Sequence, residues 1–122
     1  MAPKITVKAD YILVEPQERE FWEILESLGK LFEIPEYLDK DVIWLFREGS
    51  LKTTYNDLYK IKDFVEHNLP ENTKPDKKVA FVVETALQAA MAAEYTKIVK
   101  ELPQEYKVFS DFQAAEDWIK NK

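Results

Sequence analysis

Asp41-Val-Ile-Trp-Leu-Phe46 decides the fold. Val42 to Phe46 are apolar without interruption, so the stretch lacks the period-two alternation of a strand with one wet face. An unbroken apolar run of this length fits a strand covered on both sides, as in a parallel sheet. Arg47-Glu48-Gly49-Ser50 then breaks it. Val79-Ala-Phe-Val-Val83 is a second run of the same kind. Between them, Leu69-Pro-Glu-Asn-Thr-Lys-Pro-Asp76 has two prolines and no periodicity, and reads as a loop.

The segments around these strands show helical spacing. Thr54-Tyr-Asn-Asp57 has the capping-box pattern in its acidic variant, which makes Thr54 an N-cap. Leu58, Ile61, Val65 and Tyr55 form the stripe expected to be buried, and His67 lies opposite. Upstream, Phe21, Ile24, Leu25, Leu28, Leu31 and Phe32 recur at helical spacing, with Glu23, Glu26 and Lys30 expected on the wet face. Ile34-Pro35 closes that helix. Downstream, a helix is expected over Ala86–Leu102, with Leu87, Met91, Tyr95, Ile98 and Leu102 inward and Pro103 as terminator. Ser110-Asp-Phe-Gln113 reads as another capping box, followed by the stripe Phe112, Ala115, Trp118 and Ile119.

Three shorter strands complete the order. Ile5 and Val7 alternate with Thr6 and Lys8, and Tyr11–Val14 is a second, more apolar run. Ala9-Asp10 joins them as a hairpin, with Asp10 expected to take a positive φ in place of glycine. Tyr106–Phe109 is the last strand. The order is ββαβαβαβα: an α/β protein with a mixed β-sheet, parallel except for an N-terminal antiparallel hairpin. At 122 residues, 1–122 is read as one domain.

Composition removes many chemistries. There is no cysteine, one histidine (His67) and two glycines, Gly29 and Gly49. Thiolate nucleophiles, cysteine or multi-histidine metal sites, the dinucleotide fingerprint and the P-loop are therefore excluded. No metal and no cofactor is expected. Seventeen basic residues against 23 acidic ones give a net charge of -6, which argues against nucleic acid. The densest basic stretch, Lys74 to Lys78, reads as a solvated loop. No apolar run approaches the roughly 18 residues of a membrane span. No signal-peptide core follows Met1-Ala-Pro-Lys4, so a cytoplasmic protein is expected.

The element order and several phrases resemble the SpoIIAA-like group of STAS domains. The strongest stretch is Val108-Phe-Ser-Asp-Phe-Gln-Ala-Ala-Glu-Asp-Trp-Ile119, similar to a Val-Phe strand end, a polar cap and Glu-Ala-x-x-Trp-Leu spacing. Lys78–Val83 before an alanine-rich helix carrying Met91 and Tyr95 also fits, as does Thr54-x-x-Asp57-Leu58 after a strand and a polar break. The resemblance implies a STAS-like fold and a non-enzymatic regulatory or protein-interaction module. Better-known members carry an Asp-Ser-(Ser/Thr)-Gly/Ala phrase whose serine is phosphorylated by a partner kinase. Here the corresponding stretch is Arg47-Glu-Gly-Ser-Leu-Lys-Thr-Thr54, which has hydroxyls but not that phrase.

Ligands of open α/β sheets favour the crevice beyond the carboxyl ends of the strands. That rim is expected to gather Arg47, Glu48, Gly49, Ser50, Thr53, Thr54, Glu84, Thr85 and Ser110, with Asp111 beside them. Ser50 and Thr53 are the candidate phosphosites; for Thr54 and Ser110 the simpler role is helix capping. Three readings follow. The first is an interaction module with an unknown protein partner. The second is a binder of a small apolar, lipid-like or anionic ligand, the anion held by helix N-termini. The third is an enzyme using Glu48, Glu84 and Asp111. Trp22, Tyr37, Tyr55, Tyr59 and Tyr95 are expected at stripe edges or loops, where they could line a pocket or a homodimer patch.

Overall fold

The computed structural model describes residues 3–17, 21–47 and 53–121. Five strands run β1 (Lys4–Val7), β2 (Tyr11–Glu15), β3 (Asp41–Leu45), β4 (Lys78–Val82) and β5 (Glu105–Phe109). The helices are α1 (Phe21–Glu33), α2 (Tyr55–Asn68), α3 (Ala86–Ile98) and α4 (Phe112–Lys120), with a 3₁₀ turn at Pro35–Leu38. The expected order ββαβαβαβα and the mixed sheet are both present. The strands lie side by side in chain order, β1 antiparallel to β2 and the others parallel.

This strand order fixes where the helices go. Each crossover from β2 to β5 steps one place in the same direction. Parallel crossovers are right-handed, so all three crossover helices fall on one face. Ile12, Val14, Val42, Trp44, Val79 and Phe81 point to that face and pack against α1, α2 and α3. α4 follows the last strand and has no further strand to reach. It folds beneath the other face, against β3, β4 and β5. There, Ala115 and Ala80 are both fully buried, and their small side chains let helix and sheet approach closely. Ile43, between the two layers, is also fully buried, as expected for a strand covered on both sides.

Several local expectations need correction. Asp10 does not take a positive φ; among the described residues, the non-glycine positive angles are at Asn72 (68°) and Asp76 (59°), in the long loop. The hairpin turn is braced from outside instead: Lys40 Nζ donates to the carbonyls of Lys8 (2.5 Å) and Ala9 (3.1 Å). α3 stops at Ile98 rather than Leu102, because Pro103 disfavours helical angles at Leu102 and the chain turns away one turn earlier. Asp111, not Ser110, caps α4, accepting from Ala114 N at 3.3 Å. Thr54 caps α2 as expected, in a complete capping box with Asp57.

Burial corrects others. Tyr55 (57% exposed) and Leu87 (65%) are not inward, because both sit in first helical turns that overshoot the carboxyl ends of the strands. Tyr37 is buried rather than at an edge, and Tyr95 takes the inward position expected for it on α3. Glu23 is fully buried, not on the wet face of α1; its Oε2 accepts from Gln17 N at 2.6 Å. Lys77, expected in a solvated loop, is fully buried. Its ammonium sits 3.6 Å from the Tyr37 ring centre and donates to the Tyr37 carbonyl. Burial pushes its pKa down to about 8, against the opposing pull of Asp41.

Candidate functional site

The carboxyl ends of β2, β3, β4 and β5 meet at one rim, and side-chain bonds tie the loops there together. Glu15, at the end of β2, pairs with Arg47 beyond β3 (Oε1 to Nη2, 3.1 Å). Gln88, 2% exposed in the first turn of α3, donates to the Arg47 carbonyl at 2.7 Å. Its Oε1 accepts from the backbone of Glu84 (2.7 Å) and Thr85 (3.2 Å). One buried amide thereby locks the loops after β3 and β4, and the Arg47 side chain extends the tie to the end of β2. Sequence reading missed Gln88, although Thr85-x-x-Gln88 is itself a capping-box pattern.

Because α4 covers only β3 to β5, the second face stays open beside the β1–β2 hairpin. A groove of about 520 Å³ fills this space. Its floor is Tyr11, Leu13, Leu45, Val82 and Phe112. Its polar walls are Glu15, Glu84, Ser110, Asp111 and Glu116, with Lys8 and Arg47. Tyr11 bridges the two walls, donating to Glu116 at 2.6 Å. Burial, together with that carboxylate, raises the Tyr11 hydroxyl above its ordinary range and keeps it a proton donor. Four carboxylates against two cations make the lining acidic.

The structure brings Arg47, Glu84, Ser110 and Asp111 to this groove. Thr54 and Thr85 are at the same end of the molecule, but as caps of α2 and α3. Thr53 turns inward: its Oγ1 is buried without a hydrogen-bond partner beneath the helical layer, a poor position for a kinase substrate. Glu48, Gly49 and Ser50 lie outside the described residues. One N-terminal amide of each helix expected to hold an anion already has a side-chain acceptor: Asp57 N on Thr54 for α2, Gln88 N on Thr85 for α3 and Ala114 N on Asp111 for α4. Among the described residues, no group of acidic or histidine side chains could hold a metal ion. No helix among them is long and apolar enough to cross a membrane. His67 is exposed on α2, with Nδ1 2.7 Å from the Asp63 carbonyl.

Compared with protein families, curated proteins and solved structures, the chain matches none.

Proposed function

We propose that this protein is a non-enzymatic, STAS-like interaction module of the cytoplasm, docking a protein partner in the groove between α4 and the β1–β2 hairpin. The observation that carries the reading is the groove itself: an apolar sheet floor between charged walls held in place by Tyr11–Glu116, Glu15–Arg47 and Gln88. Preformed walls lower the ordering cost of association. The acidic lining favours a partner segment carrying Lys or Arg beside apolar residues. The STAS-like assignment rests on the element order and the sequence phrases quoted above.

A small-molecule reading has one observation in its favour, the groove volume of about 520 Å³, which falls within the ~300–1,000 Å³ usual for ligand sites. The acidic lining and capped helix ends favour an apolar or cationic ligand over an anionic one.

Photo-crosslinking separates these readings. A photoreactive residue at Ser110, on the groove, is compared with one at His67, at the opposite end of α2, in the cells that make the protein. A discrete protein adduct from position 110 alone, lost on Glu84→Lys, supports docking at the groove. Identical adducts from both positions would sink it. Absence of a protein adduct, with a small molecule co-purifying in native mass spectrometry, would favour the second reading.

A further inference from the structure

The outer face of α3 is apolar where those of its neighbours are charged. α1 carries the Glu26–Lys30 pair on its surface, and α2 exposes Lys60, Asp63 and His67. From Thr85 to Ala93 the chain has no charged residue, and Ala86, Leu87, Ala90 and Ala93 are exposed. A helix that is apolar all round is normally covered all round. The sheet covers one side of α3, where Met91, Ala92 and Tyr95 join the core, and the other side meets solvent.

Helical phase joins this face to α2. The buried residues of α2 are Leu58, Ile61 and Val65. Residues one position earlier turn toward α1: Lys60 lies over the Phe21 ring, and Phe64 stacks on Phe32. Residues one position later, Tyr59 among them, therefore turn toward α3. By the same phase Leu87, one position before the buried Gln88, turns toward α2. Tyr59 (55% exposed) and Leu87 lie on one seam, with Tyr55 a turn away, and they extend the alanine face into a continuous apolar patch. Such a patch marks an interaction site, where a single exposed side chain does not.

We propose that this patch pairs with the same patch of a second copy of the chain, α3 against α3 in antiparallel twofold packing. The patch holds what its own complement requires. Ala90 and Ala93 let two helix axes approach closely. Just beyond them stand Glu94 and Lys97, opposite charges that form no ion pair among the described residues. A twofold axis near Ala93 brings each Lys97 alongside the second copy's Glu94, so one geometry satisfies both copies. An acidic or a basic partner would answer only one of the two charges. α3 lies across the sheet from the groove, so the pairing leaves the groove open and does not rest on docking there. A contact of one helix per copy is at the small end of interface sizes, so a dimer of about micromolar affinity is expected.

Sedimentation of the intact chain over a concentration series tests this. A reversible monomer–dimer equilibrium is expected. Ala90→Arg places a bulky charge on the axis-facing surface while keeping a good helix former, and should leave a folded monomer at every concentration. Glu94→Lys and Lys97→Glu, each alone, set like charges against one another and should weaken the dimer about ten-fold. The double variant restores opposite charges and should recover the original affinity, which a merely misfolded chain would not do. A wild-type chain that stays monomeric, a dimer untouched by Ala90→Arg, or a double variant as weak as either single one would overturn the proposal.

Discussion

The two ends of the parallel sheet are built on opposite principles. At the amino end, polar groups are consumed internally. Asp41 accepts from Lys78 N (2.9 Å) and pairs with Lys74 (2.8 Å). Lys78 Nζ reaches the carbonyls of Trp118 and Asn121, both at 2.8 Å. Lys77 is sealed against Tyr37. At the carboxyl end, by contrast, the bonded groups line a groove, and Trp22, Tyr55 and Leu87 stand exposed in the first turns of their helices. The contrast gives the amino end to internal bonding and leaves the groove proposed for docking at the other.

The largest effect should come from Lys77. Its pKa is lowered to about 8 in the folded protein, so between pH 8 and its unfolded value the unfolded chain binds the extra proton. Stability therefore rises with pH across that window, by up to about 3 kcal/mol at 1.36 kcal/mol per unit. It falls again above pH 10, because burial pushes the Tyr37 hydroxyl up to about 12 and the folded state then holds the extra proton. Lys77→Met should raise stability at neutral pH and flatten the rising limb, as read by urea unfolding at several pH values. A rising limb of unchanged slope in the variant would show that Lys77 is not buried as charge.

Next, Asp41→Ala leaves the Lys78 amide without its acceptor and should destabilise by about 2 kcal/mol. The groove adduct at position 110 should survive in the variant's folded fraction. If the adduct disappears, the two ends are coupled and the division of labour fails. Thr54→Ala removes the α2 cap and should cost about 1 kcal/mol, measured by thermal unfolding. Smallest in stability, and sharpest for the comparison, is Glu84→Lys. At an exposed position it should change unfolding free energy by less than about 0.5 kcal/mol while abolishing groove docking.

Much of this architecture was legible in local pattern. The apolar runs at Val42–Phe46 and Val79–Val83 announced strands covered on both faces, and Thr54-x-x-Asp57 announced the start of α2. Arg47, Glu84 and Ser110 were placed at the rim simply because they follow strand ends. Other features had no local signature. Glu23 is spaced like a solvent-facing residue, and only the returning Gln17 amide explains its burial. Lys77 sits among lysines and prolines that read as solvated loop, and its partner Tyr37 is 40 residues away. Tyr55 and Leu87 have the right helical phase for the core, but phase does not reveal that the sheet has already ended beneath them.

By itself, the sequence determined the elements, their order and most of their buried faces, because periods of two and 3.6 and the caps depend on residues a few positions apart. It also determined what the protein lacks the residues to do. Tertiary structure decided the rest. Strand order put three helices on one face and left the other to α4, opening the groove beside the hairpin. Contacts across 41 residues (Gln88 to Arg47) and 105 residues (Tyr11 to Glu116) then shaped its walls. Lys77 and Gln88 are buried against partners 40 and 41 residues away, and chain proximity carries no record of such contacts.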